Sequence, residues 1–246
     1  GHLMADDTRT AVLIGGGRMG RLMADALAAD GTFELLGTYD VDNCAELDEA
    51  APAADVAIDF SNRASLSHTL AYVRRTHAAL VSGTTGFDEG ELASIRSLGE
   101  VAPVIWSANY SLGVAVVRRL AAEAARALGD FDIEIVETHH NQKVDAPSGT
   151  ANLLLAAVDP EGACTVTHGR EGLVGARPPR EIGVHSLRGG TVAGTHEVHF
   201  FGPDEEVVLT HRATSRQIFV MGALAAAKRL VSRPAGSYTF DDLMFG

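Results

Sequence analysis

The run Gly15-Gly16-Gly17-Arg18-Met19-Gly20 directly follows the apolar residues 11–14 and opens a segment, residues 18–29, in which Met19, Leu22, Met23, Ala26 and Leu27 recur at helical spacing. A strand, a glycine turn and a helix in that order leave few architectures open. Gly31 reads as the helix stop and residues 33–39 as a second strand, which closes a βαβ unit that should be parallel and right-handed. Within the G-x-G-x-x-G pattern, Gly15 permits the tight turn, Gly17 lets a pyrophosphate approach the backbone, and Gly20 lets helix and strand pack closely. The N–H groups at the helix start favour a diphosphate. Gly15, Gly16, Gly17, Arg18, Met19 and Gly20 are therefore candidate dinucleotide contacts.

Asp40 ends the second strand, 20 residues beyond Gly20. A carboxylate there accepts hydrogen bonds from the ribose hydroxyls of NAD and repels a 2′-phosphate. The pairing of glycine loop and acid separates dinucleotide binding from an ordinary glycine-rich turn.

The alternation continues with strands at 56–60, 79–82 and 103–106 and helices at 64–76 and 88–98, a doubly wound α/β pattern. A long helix over 112–128 follows, with Ser111 as its expected cap and Gly129 as its stop. The rhythm then changes to strands at 132–138, 164–168, 182–187, 191–201 and 206–211, with one clear helix near 150–157. We expect a Rossmann-like parallel-sheet domain and a second α+β domain on a mixed or antiparallel sheet. The boundaries expected are 1–108 and 216–246 for dinucleotide binding, and 109–215 for substrate binding and oligomerisation, with a last helix at 217–231 returning to the first domain. Residues 170–180 are the best candidate for a mobile loop.

A formal charge of −12 without a Lys/Arg cluster argues against nucleic acid as a partner. Any anionic ligand must be held locally. No apolar run approaches the ~20 residues that span a bilayer, and Asp6 and Asp7 stand where a signal peptide would be basic, so a cytoplasmic protein without membrane contact is expected. Gly1-His2-Leu3 before Met4 reads as a tag-removal scar. Cys44 and Cys164 are far apart and suggest neither a disulfide framework nor a zinc ribbon.

Residues 137–151 gather titratable groups between a strand end and a helix start. Pro147 disfavours helix before it, and Ser148 is placed to cap the next one, leaving the N–H groups of Gly149 and Thr150 to a carboxylate. Lys143 is one of two lysines in the chain, and its ammonium suits an anion or a proton-donating role. His139 and His140 are adjacent, so on a strand they point to opposite faces, and no H-E-x-x-H or cysteine partner completes a metal site. Proton exchange by an imidazole fits better than metal binding.

The string Glu137-x-His139-His140-x-x-Lys143-Val144-Asp145-Ala146-Pro147-Ser148-Gly149-Thr150-Ala151 resembles the signature of dihydrodipicolinate reductases. Further landmarks follow the family order: Asp59-Phe60, residues 83–88, Ala108-Asn109-Tyr110-Ser111-x-Gly113, Arg170-Glu171-Gly172, Ile182-Gly183 and Ser215-Arg216. The resemblance implies reduction of 4-hydroxy-tetrahydrodipicolinate to tetrahydrodipicolinate with loss of water, in lysine and diaminopimelate biosynthesis. Hydride would come from the C4 of NADH or NADPH. It implies that Gly83, Thr84, Thr85, Ser107, Ala108, Asn109 and Tyr110 line the nicotinamide side. His139 and Lys143 would supply or relay protons, and His140, Lys143, Gly149 and Thr150 would bind the carboxylates of a cyclic dicarboxylate. A homotetramer built through the second domain is also implied.

Three departures qualify the match. The connection over residues 41–54 is shorter than in many relatives, implying that their extra structure near the adenosine is missing. Val41 stands where many NADPH-accepting relatives have arginine, which points to NADH. Gly194-Thr195-His196 replaces the common Gly-Glu-His, leaving the role of that loop open. The competing readings are a related two-domain amino-acid dehydrogenase, which need not carry His139, His140 and Lys143 in this setting, and a catalytically silent nucleotide sensor.

Overall fold

The computed structural model describes residues 8–246; the scar reading of Gly1-His2-Leu3 and the charges of Asp6 and Asp7 lie outside the described residues. The chain forms two compact units, one made of the chain up to Ser111 together with Gln217–Gly246, the other of Leu112–Arg216.

In the first unit, β1 (Arg9–Ile14), α1 (Arg18–Asp30), β2 (Phe33–Tyr39), β3 (Val56–Asp59), α2 (Leu66–Thr76), β4 (Ala79–Ser82), α3 (Glu89–Ser97) and β5 (Pro103–Trp106) alternate. β3 and β4 are buried at every position, as expected for parallel strands with both faces covered. Local signals set the helix ends. Gly31 adopts φ 73° and returns its N–H to the carbonyl of Leu27, and Asp88 with Glu91 forms a capping box on α3. Registers Ile14↔Asp59, Asp59↔Ser82 and Ser82↔Trp106 bring the strands to a common carboxyl edge. The connection over residues 41–54, for which no element was expected, contains a 3₁₀ turn, Cys44–Asp48. Leu47 from that turn is buried in the core, and the Arg75 guanidinium donates to the carbonyls of Leu47 and Ala51.

The second unit comprises α4 (Leu112–Ala127), β6 (Asp132–His139), α5 (Gly149–Val158), β7 (Thr165–Thr167), β8 (Glu181–Arg188), β9 (Gly194–Gly202) and β10 (Glu205–Ala213). Its sheet runs β10-β9-β6-β8-β7, antiparallel from β10 to β6 and parallel from β6 to β7. One face buries Ile135, Ile182, Val184, Val198 and Phe200 with Ala121 of α4 and Leu154 of α5. By alternation the opposite face carries Leu187, Phe201 and Val208, each exposed. The stretch 170–180 contains no regular element but is anchored at two points, Arg170 to Glu134 at 2.5 Å and Arg177 to Asp132 at 2.9 Å.

The chain then returns to the first unit through α6 (Gln217–Leu230), which packs on α1 and β4. β11 (Gly236–Tyr238) adds to β5, giving the order β11-β5-β4-β3-β1-β2, and α7 (Phe240–Phe245) follows behind a Thr239/Asp242 capping box. Neither β11 nor α7 was expected from the sequence. A three-residue Gly-Ser-Tyr strand has no apolar alternation, and it exists because the edge of β5 supplies its hydrogen-bonding partner. Among the described residues, no helix is long and apolar enough to cross a membrane.

Candidate functional site

The strand order of the first unit reverses between β1 and β3, and a ligand crevice belongs at the carboxyl ends of two such strands. A cavity of about 310 Å³ opens there, lined by Gly15, Gly16, Gly17, Asp40, Val41, Phe60, Ser61, Asn62 and Ser65. Gly15 has φ 120°, and a Cβ on it would run into the Phe60 carbonyl; a Cβ on Gly20 would run into the Gly15 carbonyl. Gly17 has nothing within 4 Å of its Cβ position, and no side chain caps the start of α1. An open glycine before an uncapped helix N-terminus is what a diphosphate requires. Arg18 is exposed and Met19 half-buried at this helix start.

Asp40 is held at the cavity edge. Its backbone N–H donates to Asn43 Oδ1 (2.7 Å), its Oδ1 accepts from the Asp42 N–H (2.9 Å), and its Oδ2 lies beside Gly16. Val41 is exposed next to it. The sequence reading gave no role to Asp59, at the end of β3. It is buried and accepts from Ser61 Oγ (2.5 Å) and Ser82 Oγ (2.9 Å), which braces the cavity wall at Ser61. Burial pushes the Asp59 pKa up against those hydrogen bonds.

The two segments expected around a nicotinamide adjoin one another at the ends of β4 and β5. Trp106 Nε1 donates to the Thr84 carbonyl (2.8 Å), and Thr84 Oγ1 accepts from the Ser61 N–H (3.0 Å). Gly83 packs on the Phe60 ring, and Thr85 is exposed. Ser107 Oγ donates to the Asn109 carbonyl (2.7 Å), and Asn109 Oδ1 accepts from the Ser111 N–H (2.7 Å); Ala108 lies between them. The Tyr110 side chain serves the core, packed edge-on to Phe60 and Phe240 with its hydroxyl donating to the Ser82 carbonyl (2.6 Å).

In the second unit, β6 delivers Glu137 and His139 on one face and ends at the loop carrying His140 and Lys143. Glu137 is fully buried. Its Oε2 lies 2.6 Å from His139 Nδ1, and Arg188 of β8 closes on both oxygens at 2.8 and 2.9 Å. The Ser148 N–H, at the start of α5, donates to Oε1 (3.1 Å). Burial raises the Glu137 pKa, but hydrogen bonds from Arg188, His139 and Ser186 outweigh it and bring the value down to about 2. Ser148 caps α5 as expected, accepting from the Ala151 N–H (3.1 Å), and its hydroxyl also meets His196 Nε2 of β9 at 2.8 Å. The His196 ring stands edge-on to His139, with centroids 5.1 Å apart. Burial, helped by His139, lowers its pKa to about 4.

Lys143 Nζ donates to Asp145 Oδ1 (2.7 Å). The basicity of His140 is lowered by desolvation and then by Arg216, His139, Lys143 and Arg188, so this is a locally cationic corner of an acidic protein. Nothing lies within 4 Å of the Cβ position of Gly149, and Thr150 follows it in the first turn of α5. His139, His140, Lys143, Gly149 and Thr150 thus all belong to one strand-end, loop and helix-start assembly. Arg188, His196 and the buried role of Glu137 were missed by sequence reasoning; Glu137 stood inside the quoted signature, whereas nothing local marked Arg188. Among the described residues, no group of three or more His, Cys, Asp and Glu side chains is placed to hold a metal ion.

The two shifted groups make stability acid-sensitive. Between about pH 6.5 and 4, the unfolded chain binds a proton at His196 that the folded one refuses; between about pH 4.5 and 2, Glu137 does the same. Stability present above these windows is lost as pH falls through them, up to ~3 kcal/mol for each group. Urea unfolding of the full chain at pH 7.5 and 5 should show a lower midpoint at pH 5, flattened in His196→Asn. An unchanged wild-type midpoint would contradict this.

The comparisons with known proteins cover both units. Residues 10–110 match the family model for dihydrodipicolinate reductase, N-terminus, and residues 113–244 that for dihydrodipicolinate reductase, C-terminus. Proteins named 4-hydroxy-tetrahydrodipicolinate reductase are similar along the chain. The Exiguobacterium sp. protein is 41% identical over 94% of each chain, and the Akkermansia muciniphila protein is 43% identical over 93% of this chain and 94% of its own. Among solved structures, dipicolinate-bound dihydrodipicolinate reductase from Paenisporosarcina sp. TG-14 shares the fold with TM-score 0.76 at 22% identity, covering 97% of this chain and 100% of that one.

Proposed function

The chain belongs to the dihydrodipicolinate reductase family, and from that premise we infer that it is a 4-hydroxy-tetrahydrodipicolinate reductase, an NAD(P)H-dependent oxidoreductase of lysine and diaminopimelate biosynthesis. The observation that carries this reading is the match at 41% identity over 94% of the chain, alongside family matches over residues 10–110 and 113–244 that span the glycine loop and the His139–Lys143 segment.

The first unit's residues fit a pyridine nucleotide. Gly15, Gly16, Gly17, Arg18, Met19 and Gly20 would hold its diphosphate at the α1 N-terminus, and Asp40 its ribose. Gly83, Thr84, Thr85, Ser107, Ala108 and Asn109 would border the nicotinamide, with Tyr110 anchoring that loop through its hydroxyl. When bound, the cofactor supplies the hydride. We favour NADH, because the Asp40 carboxylate repels a 2′-phosphate and the exposed neighbour Val41 offers it no charge.

In the second unit, Lys143, His140, Gly149 and Thr150 would bind the carboxylates of a cyclic dicarboxylate, using an ammonium, an imidazole and a helix start. His139 would exchange the proton that accompanies hydride addition, and Lys143 would act as a second donor. The domain roles follow the two compact units, the one ending at Ser111 and resuming at Gln217 for the dinucleotide, and Leu112–Arg216 for substrate and assembly. We propose a homotetramer formed through the second unit, whose sheet leaves Leu187, Phe201 and Val208 exposed on the face away from α4 and α5.

The test is oxidation of NADH and, separately, NADPH, with the substrate generated from pyruvate and aspartate semialdehyde by the preceding synthase. Oxidation that requires the synthase, with higher kcat/KM for NADH, is expected. Binding of NADH without synthase-dependent oxidation would overturn the assignment, and a higher kcat/KM for NADPH would overturn the cofactor preference alone.

A further inference from the structure

We propose that Glu137 is the positioning residue for proton transfer at His139: clamped by Arg188, it accepts the hydrogen of His139 Nδ1 and leaves Nε2 as the atom that exchanges a proton with the substrate. The proposal rests on the reading of His139 as the proton-exchanging group.

Glu137 and His139 are two residues apart on β6 and therefore share a face. The bidentate Arg188 contact and the Ser148 N–H are donors that match an ionised, accepting carboxylate, and such a carboxylate 2.6 Å from Nδ1 obliges that nitrogen to carry the hydrogen. Nε2 is the nitrogen left for chemistry. It faces Gly194, where a Cβ would stand 3.0 Å away, so a side chain at that position would crowd the reacting atom. This gives Gly194-Thr195-His196, which forms the start of β9 rather than a loop, a function: glycine keeps the ring edge clear while His196 supports its face.

Every element packed around His139 fits that arrangement. Glu137 comes from β6 itself, Arg188 from β8, His196 from β9, and His140 and Lys143 from the following loop. His196 stays uncharged at neutral pH, so a positive charge on His139 meets no second imidazolium at 5.1 Å. In the transfer, the Nε2–H bond of the imidazolium breaks and the hydrogen bonds to the substrate. The ring becomes the neutral Nδ1–H form. Glu137 stays a carboxylate throughout, acting through His139 without touching the substrate. Its bond to the Ser148 N–H also ties the imidazole to the helix start offered to the substrate carboxylate.

The test combines two readouts on the full chain. Two-bond ¹H–¹⁵N spectra of ¹⁵N-histidine protein, with the His139 signals assigned by their loss in His139→Asn, should show the neutral ring protonated at Nδ1. A ring protonated at Nε2 overturns the proposal, and this measurement needs no variant of Glu137. Second, Glu137→Gln removes the charge but keeps the shape. It should reduce kcat about tenfold or more, leave KM for NADH within about twofold, and move the alkaline limb of kcat/KM to lower pH by roughly one unit or more, because the imidazolium has lost its counter-charge. A Glu137→Gln profile superimposed on wild type, where His139→Asn abolishes the limb, overturns the positioning role alone. A limb that survives in His139→Asn overturns the reading of His139 and the proposal with it.

Discussion

Lys143→Ala lowers kcat by roughly 10²–10⁴-fold, the range expected when a positioned proton donor is removed, while KM for NADH stays within about twofold. The asymmetry follows from where the residue sits. Lys143 belongs to the second unit, on the loop between β6 and α5, whereas the glycine loop and Asp40 belong to the first. Its ammonium is held by Asp145 at 2.7 Å, with the Lys143 side chain 19% exposed and that of Asp145 64% exposed. A partner that exposed holds weakly, so the ammonium is free to exchange Asp145 for a substrate carboxylate or a developing anion. KM for the dicarboxylate should rise as well, since one of its cations is gone. Steady-state kinetics with each substrate varied in turn provides the check, and an unchanged kcat would remove Lys143 from the chemistry.

Gly20→Ala weakens NADH binding by up to roughly a hundredfold and lowers Tm, although glycine-to-alanine changes inside helices ordinarily stabilise by ~0.5–1 kcal/mol. The sign reverses because the added Cβ would meet the Gly15 carbonyl just after β1, a backbone group that cannot swing aside as a side chain does. Overpacking of this kind costs ~1–3 kcal/mol, and the displacement it forces falls on the helix start proposed to hold the diphosphate. Gly17→Ala is the internal control. Nothing lies within 4 Å of its Cβ position, so Tm should fall only by the small N-cap cost of alanine while NADH affinity falls, the methyl group occupying the space proposed for the diphosphate. Fluorescence titration with NADH and thermal melts of both variants separate the two glycines; equal, unaltered Tm and affinity in Gly20→Ala would contradict the packing argument.

Much of the first unit is legible in the sequence because its information is local. The strands over 9–14, 56–59 and 79–82 are built on short apolar runs, 11–14 in the first, and the glycines that punctuate them do so for reasons of backbone geometry that depend on immediate neighbours. The connection over 41–54 was not legible in the same way. Its 3₁₀ turn is held by Arg75 from α2, a partner 28 residues from Leu47 and 24 from Ala51. Similarly, β11 owes its existence to the free edge of β5.

The candidate site divides along the same line. By itself the sequence determined that Glu137, His139, His140, Lys143 and Ser148 would lie together, because a strand end, a short loop and a helix cap are continuous chain. Only the tertiary structure decided what surrounds them. Register places His139 opposite Arg188 on β8 and Glu137 opposite His196 on β9, partners 49 and 59 residues away in sequence by their numbers, and so converts a buried acid into a clamped carboxylate. Strand order and register arise from the burial of a whole face of the sheet. No local spacing encodes them, and the charge state of the site follows from them.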